Sequence, residues 1–110
     1  MNSNDRYCLS FFENLEIAVG NSNAAREGYV VVERIPDLFG CYIVIRFGGY
    51  GISFACLDHR TAEVKIFGRD INNRIVLSTK QEMEQFQREL LWLINLVRYS
   101  MKIKEIIAKK

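Results

Sequence analysis

Five short segments rich in β-branched and aromatic residues follow one another between residues 29 and 78 with brief connections. They read YVVVERI, CYIVIRF, ISFACLD, AEVKIFG and RIVLS, and turn-like stretches such as PDLFG, DHRT and RDINN separate them. Neighbouring parallel strands need a crossover of a dozen or more residues, and none of these connections is that long. The spacing therefore predicts a five-stranded antiparallel meander.

The chain before these strands has helical periodicity. From about Asn4 to Val19, apolar residues recur at three- and four-residue steps, which places them on one side of a helix. Asn4 or Ser3 is suited to cap its start, and Gly20 is positioned to end it in the left-handed conformation. The small and polar NSNAAREG that follows is predicted to be a loop.

The last third of the chain is predicted to be one long helix. Thr79 and Glu82 in TKQE form a capping box, which satisfies two backbone donors at a helix start. No Gly or Pro follows, so the pattern continues to about Ala108. The order of elements predicts a single α+β domain over residues 1–110: an N-terminal helix, a five-stranded antiparallel meander sheet and a long C-terminal helix packed on the sheet.

This C-terminal helix has two apolar faces when successive residues are placed about 100° apart. One face, the inner stripe, is expected to pack on the sheet, and it consists of Met83, Phe86, Leu90, Leu93, Ile94, Val97 and Met101. The outer stripe lies on roughly the opposite side, and it consists of Trp92, Leu96, Tyr99, Ile103, Ile106 and Ile107. A polar strip that includes Arg98, Lys102 and Glu105 separates the two.

The outer stripe needs a covering surface of its own, because one sheet face cannot cover both stripes of one helix. The N-terminal helix, with Phe11 and Phe12, is one alternative, and another molecule is the other. Soluble monomers rarely expose a large apolar patch. Two antiparallel C-terminal helices related by a two-fold axis would bury both outer stripes at once. We therefore expect a homodimer in which the outer stripe is the dimer or partner interface.

The stretch RFGGYGISF, residues 46–54, is similar to the octamer of RNA-recognition motifs with one aromatic residue missing. Because side chains alternate across a strand, a missing residue moves all later ones to the opposite face, so the stacking pair is not assembled. GGYG also lacks the spacing of a phosphate-binding loop, and a strand follows where such a loop needs a helix. We interpret the stretch as a β-hairpin turn with glycines at positive φ.

An alternative binding surface is expected on one exposed sheet face near this turn. Arg and Tyr on an open sheet suit stacking on bases and contact with phosphates, and they suit protein interfaces equally well. The candidate residues are Arg34, Tyr42, Arg46, Tyr50 and Lys65. A third alternative is a small-ligand pocket beneath the helices, and its lining residues, which otherwise belong to the core, are Phe47, Phe54, Cys56 and Phe67.

Residues that carry chemistry are few and scattered. His59 is the only histidine, and it stands beside Asp58 in a polar turn where no nucleophile is identifiable. Cys8, Cys41 and Cys56 are widely spaced on apolar periodic segments, which indicates reduced, buried thiols and no metal site. We therefore predict a protein that is not an enzyme and has neither a cofactor nor a metal.

Charge and hydropathy limit the classes of partner that the protein can bind. The formal net charge is +2 with 25% charged residues, far from the strong positive field of a dedicated nucleic-acid binder. The start MNSNDRYC lacks the basic head and apolar run of a signal peptide, and no apolar stretch approaches the ~20 residues that span a bilayer. These features predict a cytoplasmic protein, in its own cell or in a host, with no membrane partner.

Two classes of function remain. The first is a small homodimeric binding or accessory module that acts through protein–protein contacts, such as an inhibitor or adaptor of a virus or mobile element. Its alternative is single-stranded nucleic-acid binding through the sheet face and the basic C-terminus. The second class, expected less, is a small-ligand sensor.

Overall fold

The computed structural model describes residues 7–37 and 40–109, in which two helices pack on one face of a five-stranded sheet. The elements in chain order are α1 (Tyr7–Gly20), α2 (Asn23–Arg26), β1 (Val30–Asp37), β2 (Gly40–Phe47), β3 (Tyr50–Cys56), β4 (Ala62–Gly68), β5 (Ile71–Leu77) and α3 (Lys80–Ala108). The strands lie in sequence order, and each is antiparallel to its neighbour. The predicted α+β fold and its meander sheet are confirmed.

The register places alternate residues of each strand on two different faces. The helix-covered face includes the cross-strand row Val32, Ile45, Ile52, Ile66 and Asn73. The next row, on the opposite face, is Glu33, Val44, Ser53, Lys65 and Arg74. The first row is apolar as far as β4 and contributes to the core, whereas the second is mostly polar. We call the second side the open face, because α1 and α3 both lie on the other side.

The core is centred on Phe54 of β3, which is fully buried. Its ring centroid lies 6.2 Å from that of Phe11, 6.1 Å from that of Phe12 and 5.7 Å from that of Phe86. All three contacts are edge-to-face, the arrangement that aromatic quadrupoles favour. One strand residue thus joins both helices to the sheet. The buried side of α1 is the side predicted from its spacing, and it includes Cys8, Phe11, Phe12, Leu15 and Val19.

Two local predictions after α1 are wrong. Gly20 is the last residue of α1 but does not have a positive φ, and the left-handed glycine of this region is Gly28, at φ +85°. The stretch after Gly20 is not simply a loop, because Asn23–Arg26 forms the single helical turn α2. Ser22 caps it by accepting a hydrogen bond from the Ala25 N–H at 3.2 Å. The predicted caps of α1, Ser3 and Asn4, lie outside the described residues.

The long helix α3 begins and ends where the sequence predicts. The Thr79 hydroxyl oxygen accepts a hydrogen bond from the Glu82 N–H at 3.1 Å and donates to the Glu82 carboxylate at 3.2 Å. The 29 residues of α3 span about 44 Å, whereas strands of seven or eight residues span about 25 Å. The C-terminal part of α3 therefore extends past the sheet.

Candidate interaction surfaces

The outer stripe is exposed along its whole length. The exposed fractions of its side chains range from 46% at Leu96 to 66% at Ile107, and Trp92 is 64% exposed. None of the six residues contributes to the described core. The alternative in which α1 covers the outer stripe is wrong, because α1 packs beside the inner stripe and contacts that side of α3.

The inner stripe packs on the core from Met83 to Val97 with one exception. Met83, Leu90 and Ile94 are buried, but Leu93 is 40% exposed. Leu91, which the prediction leaves out, is half-buried against the core. The contact face of α3 is rotated towards Leu91 because α1 lies on that side of the helix, where Leu91 lines a groove with α1 residues. Leu93 lies on the side that α1 leaves uncovered.

The spacing of the outer stripe matches that of a coiled coil. Its first five residues follow one another at steps of four, three, four and three, and they are Trp92, Leu96, Tyr99, Ile103 and Ile106. This alternation is the a and d pattern of the heptad repeat, by which one helix packs along another. The pattern extends for about 21 Å along the helix axis. Towards the N-terminus the same positions are polar, since they hold Gln85 and Glu89.

A cluster of polar contacts fixes the other side of the C-terminal half of α3. Arg98 donates two hydrogen bonds to the Glu27 carboxylate, at 2.8 and 2.9 Å, and the Lys102 ammonium lies 3.1 Å from the same group. The Arg98 guanidinium, helped by Lys102, lowers the pKa of Glu27 to about 2. The Tyr29 hydroxyl donates to the Glu105 carboxylate at 2.8 Å, which raises the pKa of Tyr29. These contacts fix the position of the helix that bears the outer stripe, from a side of the helix that the stripe does not occupy.

The predicted sheet-face site is only partly assembled. Arg46 and Lys65 are exposed on the open face. The backbone of Tyr42 is paired with Ile35, and its side chain lies outside the described part. Arg34 is paired with Ile43 on the helix-covered face, where its Nε donates to Glu16 of α1 at 2.8 Å.

Tyr50 lies at the hairpin end of this group, where it lines a cavity together with Arg46. It pairs with the buried Phe47, so it belongs to the helix-covered face, at the end of the sheet. Its ring lies 5.6 Å from the guanidinium carbon of Arg69. The prediction that Arg34 shares a surface with Arg46 and Lys65 is wrong, because the alternation of the strands sends it to the opposite face.

Each cation in the middle of the open face has a carboxylate neighbour. The Nε of Arg46 lies 3.4 Å from Glu33, and the Lys65 ammonium lies 3.6 Å from Glu63. Arg74 donates a hydrogen bond to the second oxygen of Glu63, which lowers the pKa of that carboxyl. Exposed pairs of this kind stabilise the fold very little. They do neutralise the positive charge that a phosphate backbone would need to meet.

RFGGYGISF forms the predicted hairpin turn. Gly48 and Gly49 have φ of +57° and +85° between β2 and β3, the two successive left-handed residues of a type I′ turn. Gly51 then allows the Phe67 ring of β4 to lie directly over the backbone of β3, where any Cβ would collide with the ring.

The four residues predicted to line a small-ligand pocket do not share one. Phe67 and its partner Gly51 are on the open face, whereas Phe54 is fully buried on the helix-covered face. Phe47 is buried near the hairpin turn, and Cys56 is exposed at the far end of β3. Phe47 and Phe67 do come together, in a cavity at the hairpin end. The prediction of one pocket for all four failed because it assigned strand faces without a register.

The structure brings two cysteines together that the sequence separates by 48 positions. The Sγ atoms of Cys8 in α1 and Cys56 at the end of β3 are 2.7 Å apart. Cys8 is buried, but Cys56 is exposed, which contradicts the prediction that all three thiols are buried. The side chain of the third, Cys41, lies outside the described part of the structure.

The turn that holds His59 lies against the start of α1. The carbonyl of His59 accepts a hydrogen bond from the Cys8 N–H at 3.1 Å. The Asp58 carboxylate accepts one from the Arg60 N–H at 2.8 Å, and this bond lowers the pKa of Asp58. These bonds give the polar turn a structural role in attaching β3 and β4 to α1.

Within residues 7–37 and 40–109, no group of three or more His, Cys, Asp and Glu side chains is placed to hold a metal ion. In the same residues, no helix combines the length and the apolar character needed to cross a membrane. Comparison of the chain with models of known protein families, with curated proteins and with solved structures finds no match.

Proposed function

We propose that the protein is a small homodimeric binding module that acts through protein–protein contacts, with the outer stripe as its dimer interface. One observation carries this proposal: a heptad-spaced apolar stripe is left exposed on a helix that is fixed from its other side. Burying such a stripe removes several large aromatic and aliphatic side chains from water, and each contributes roughly 1.5–3 kcal/mol when fully buried.

A second copy of the chain is the partner that this spacing favours. Heptad positions pack into holes between the same positions of a facing helix, so a stripe of this pattern is complementary to itself across a two-fold axis. The alternation of four and three residues runs without interruption from Trp92 to Ile106, so two such helices can face each other along this whole length.

The charges of α3 favour an antiparallel pair. Residues 80–89 carry three acidic and two basic side chains, whereas residues 98–109 carry four basic and one acidic. With Trp92 opposite Ile106, an antiparallel pair places Lys109 of one helix beside Glu89 of its partner. A parallel arrangement would instead place the two basic ends, with Lys104 and Lys109, next to each other.

The nucleic-acid alternative has less support. Arg34 is on the helix-covered face in contact with Glu16, and the cations of the open face lie beside Glu33 and Glu63. A site for single strands combines an uncompensated positive groove with stacked aromatic residues. The protein–protein proposal depends instead on apolar area, which the outer stripe supplies.

The test is the solution mass of the full chain by light scattering over a range of concentrations. The wild type should have twice the 12.8 kDa of one chain. Leu96→Glu combined with Ile103→Glu should be a folded monomer, because two charges would be buried without partners in the interface. The matched control, Gln81→Glu with Gln85→Glu, adds the same charge to the polar half of the same helix and should remain a dimer.

Two results would contradict this proposal. If the wild type stays monomeric at all concentrations, the outer stripe is exposed to water and the proposed homodimer is excluded. A Leu96→Glu, Ile103→Glu variant that unfolds as a monomer shows that the stripe stabilises the single chain. Circular dichroism at 222 nm, the usual wavelength of helical signal, distinguishes an unfolded variant from a dissociated one.

A further inference from the structure

The sulfur atoms of Cys8 and Cys56 are closer than ordinary non-bonded neighbours. Their separation is 2.7 Å, whereas unbonded carbon atoms pack at about 3.5–4.0 Å and a disulfide bond is about 2.05 Å long. A displacement of about 0.7 Å would therefore join them. The two thiols are preorganised for bond formation by the packing of α1 against the end of β3.

The two thiols have unequal surroundings. Cys8 is buried, and its Sγ has a second acceptor within reach, the Thr61 carbonyl at 3.6 Å. Cys56 is exposed to water, which stabilises a negative charge. The hydrogen bond from Cys8 lowers the pKa of Cys56, while that same bond, together with burial, raises the pKa of Cys8. Cys56 is thus the thiol that reacts first, and Cys8 keeps its proton.

We infer that Cys8 and Cys56 form a redox-active dithiol that closes reversibly into a disulfide bond between α1 and β3. The inference is independent of the proposed dimer, since both cysteines lie at the end of the sheet that is remote from the C-terminal half of α3. The hydrogen bond from the Cys8 N–H to His59 holds the two segments together in the reduced state.

The oxidant is a small disulfide such as glutathione disulfide. The Cys56 thiolate attacks one of its sulfur atoms, a protein–glutathione disulfide forms, and one glutathione thiolate leaves and takes up a proton. Cys8 then loses its proton and attacks the Cys56 sulfur, which releases the second glutathione. Two protein thiols are oxidised by two electrons in total, and one small disulfide is reduced to two thiols. Once Cys56 has reacted its negative charge is gone, which removes the main cause that kept the proton on Cys8.

The experiment uses the full-length chain in buffers that range from glutathione alone to glutathione disulfide alone. After acid quenching, N-ethylmaleimide blocks the remaining thiols, and intact mass counts them. Oxidised protein should carry one maleimide, on Cys41, and be lighter by two hydrogen atoms. Digestion with trypsin should give residues 7–26 linked to residues 47–60. Excess glutathione should restore three reactive thiols.

Single substitutions assign the roles of the two cysteines. In Cys8→Ser, Cys56 should retain glutathione as a stable mixed disulfide, because the second thiol is missing. In Cys56→Ser, the buried Cys8 should remain unmodified under the same conditions. The melting temperature of wild type should be higher in the oxidised state by about 10 °C or more, because the bond closes a loop of nearly fifty residues. That difference should vanish in Cys56→Ser.

Three reactive thiols at every glutathione ratio would overturn the inference. A linked peptide that contains Cys41, or a bond that excess glutathione does not reduce, would overturn it as well. Equal glutathione uptake by Cys8→Ser and Cys56→Ser would contradict the assignment of Cys56 as the attacking thiol. The maleimide count of the wild type does not depend on whether either variant folds.

Discussion

The inner and outer stripes of α3 are similar in apolar content, but only the inner stripe is covered by other parts of the chain. The inner stripe lies on the core around Phe54, where Met83, Leu90 and Ile94 are buried. The outer stripe, from Trp92 to Ile107, faces water in the single chain. Periodicity identifies both as faces that favour burial. Only the three-dimensional arrangement shows that the chain itself supplies a cover for one of them.

The difference follows from length and position. The inner stripe begins at Met83, beside the strands, and α1 covers that side of the helix. The outer stripe begins nine residues later, at Trp92, on the side of α3 that is turned away from the sheet and from α1. The first therefore determines stability within one chain, and we expect the second to determine association between chains.

The largest expected effect is a loss of stability from a substitution in the core under the inner stripe. Phe54→Ala removes the ring that contacts Phe11, Phe12 and Phe86, and it should lower the free energy of unfolding by about 3–5 kcal/mol. Urea unfolding followed by circular dichroism measures this loss. A loss below about 1 kcal/mol would show that the aromatic cluster is not the centre of the core.

On the outer side, Trp92→Ala should weaken the dimer without unfolding the chain. A buried aromatic residue in an interface contributes about 2 kcal/mol or more, and the dimer loses one from each copy, so the dissociation constant should rise at least about thirtyfold. Sedimentation equilibrium measures that constant. An unchanged dissociation constant, with Trp92 still accessible to a fluorescence quencher in the wild type, would remove the outer stripe from the interface.

Leu91 and Leu93 are a matched pair on the two edges of the inner stripe. Leu91→Ala should reduce the free energy of unfolding by about 1–2 kcal/mol, because Leu91 is half-buried against the core. Leu93→Ala should cost less than about 0.5 kcal/mol, because that side chain is 40% exposed. The two unfolding curves are compared at low protein concentration, where association does not contribute. The reverse order would mean that the contact face is rotated towards Leu93.

The smallest effect concerns the contacts behind the outer stripe. Glu27 has a pKa of about 2 in the folded protein against an ordinary 4.5, because its ionised form binds Arg98 and Lys102. Its contribution to stability is complete above about pH 4.5 and is lost as the pH falls towards 2. In Glu27→Gln, the melting temperature should be lower at neutral pH and should fall less steeply over this range.

A variant of an exposed glutamate on α3, Glu84→Gln, is the control for this pH series. Its melting curves should follow those of the wild type from neutral to acid pH. If Glu27→Gln also follows them, the contacts between α2 and α3 do not stabilise the fold. High salt should diminish the effect of Glu27, because the group is partly exposed and its charges are screened.

The features that sequence reasoning predicts correctly are local ones. Two-residue alternation identifies Ile43, Ile45 and Phe47 as one face of β2, and a hydroxyl followed by a glutamate identifies the start of α3 at Thr79. The same reasoning missed α2, because the small residues around Ser22 also suit a loop. Each correct prediction depends on residues within a few positions of one another.

The features that it missed depend on distant neighbours. Glu27 and Arg98 are 71 positions apart, and Cys8 and Cys56 are 48 apart, so no spacing rule connects them. The face of Arg34 cannot be predicted from the sequence, because it depends on the pairing of Arg34 with the buried Ile43 of the next strand. The order of the strands follows from the lengths of the turns, but the face of each side chain near a strand end does not.

The topology also has a consequence for the order of folding. Each strand pairs with the next one along the chain, and hairpins of this kind form within microseconds. The helices α1 and α3 are far apart in sequence and pack together around Phe54 and Leu91, a contact that closes a long loop. We therefore expect pulse-labelled hydrogen exchange to protect the amides of β2 and β3 before those of α1. During synthesis, α1 leaves the ribosome before α3 does. Until α3 is made, the apolar side of α1 is therefore exposed and can bind chaperones.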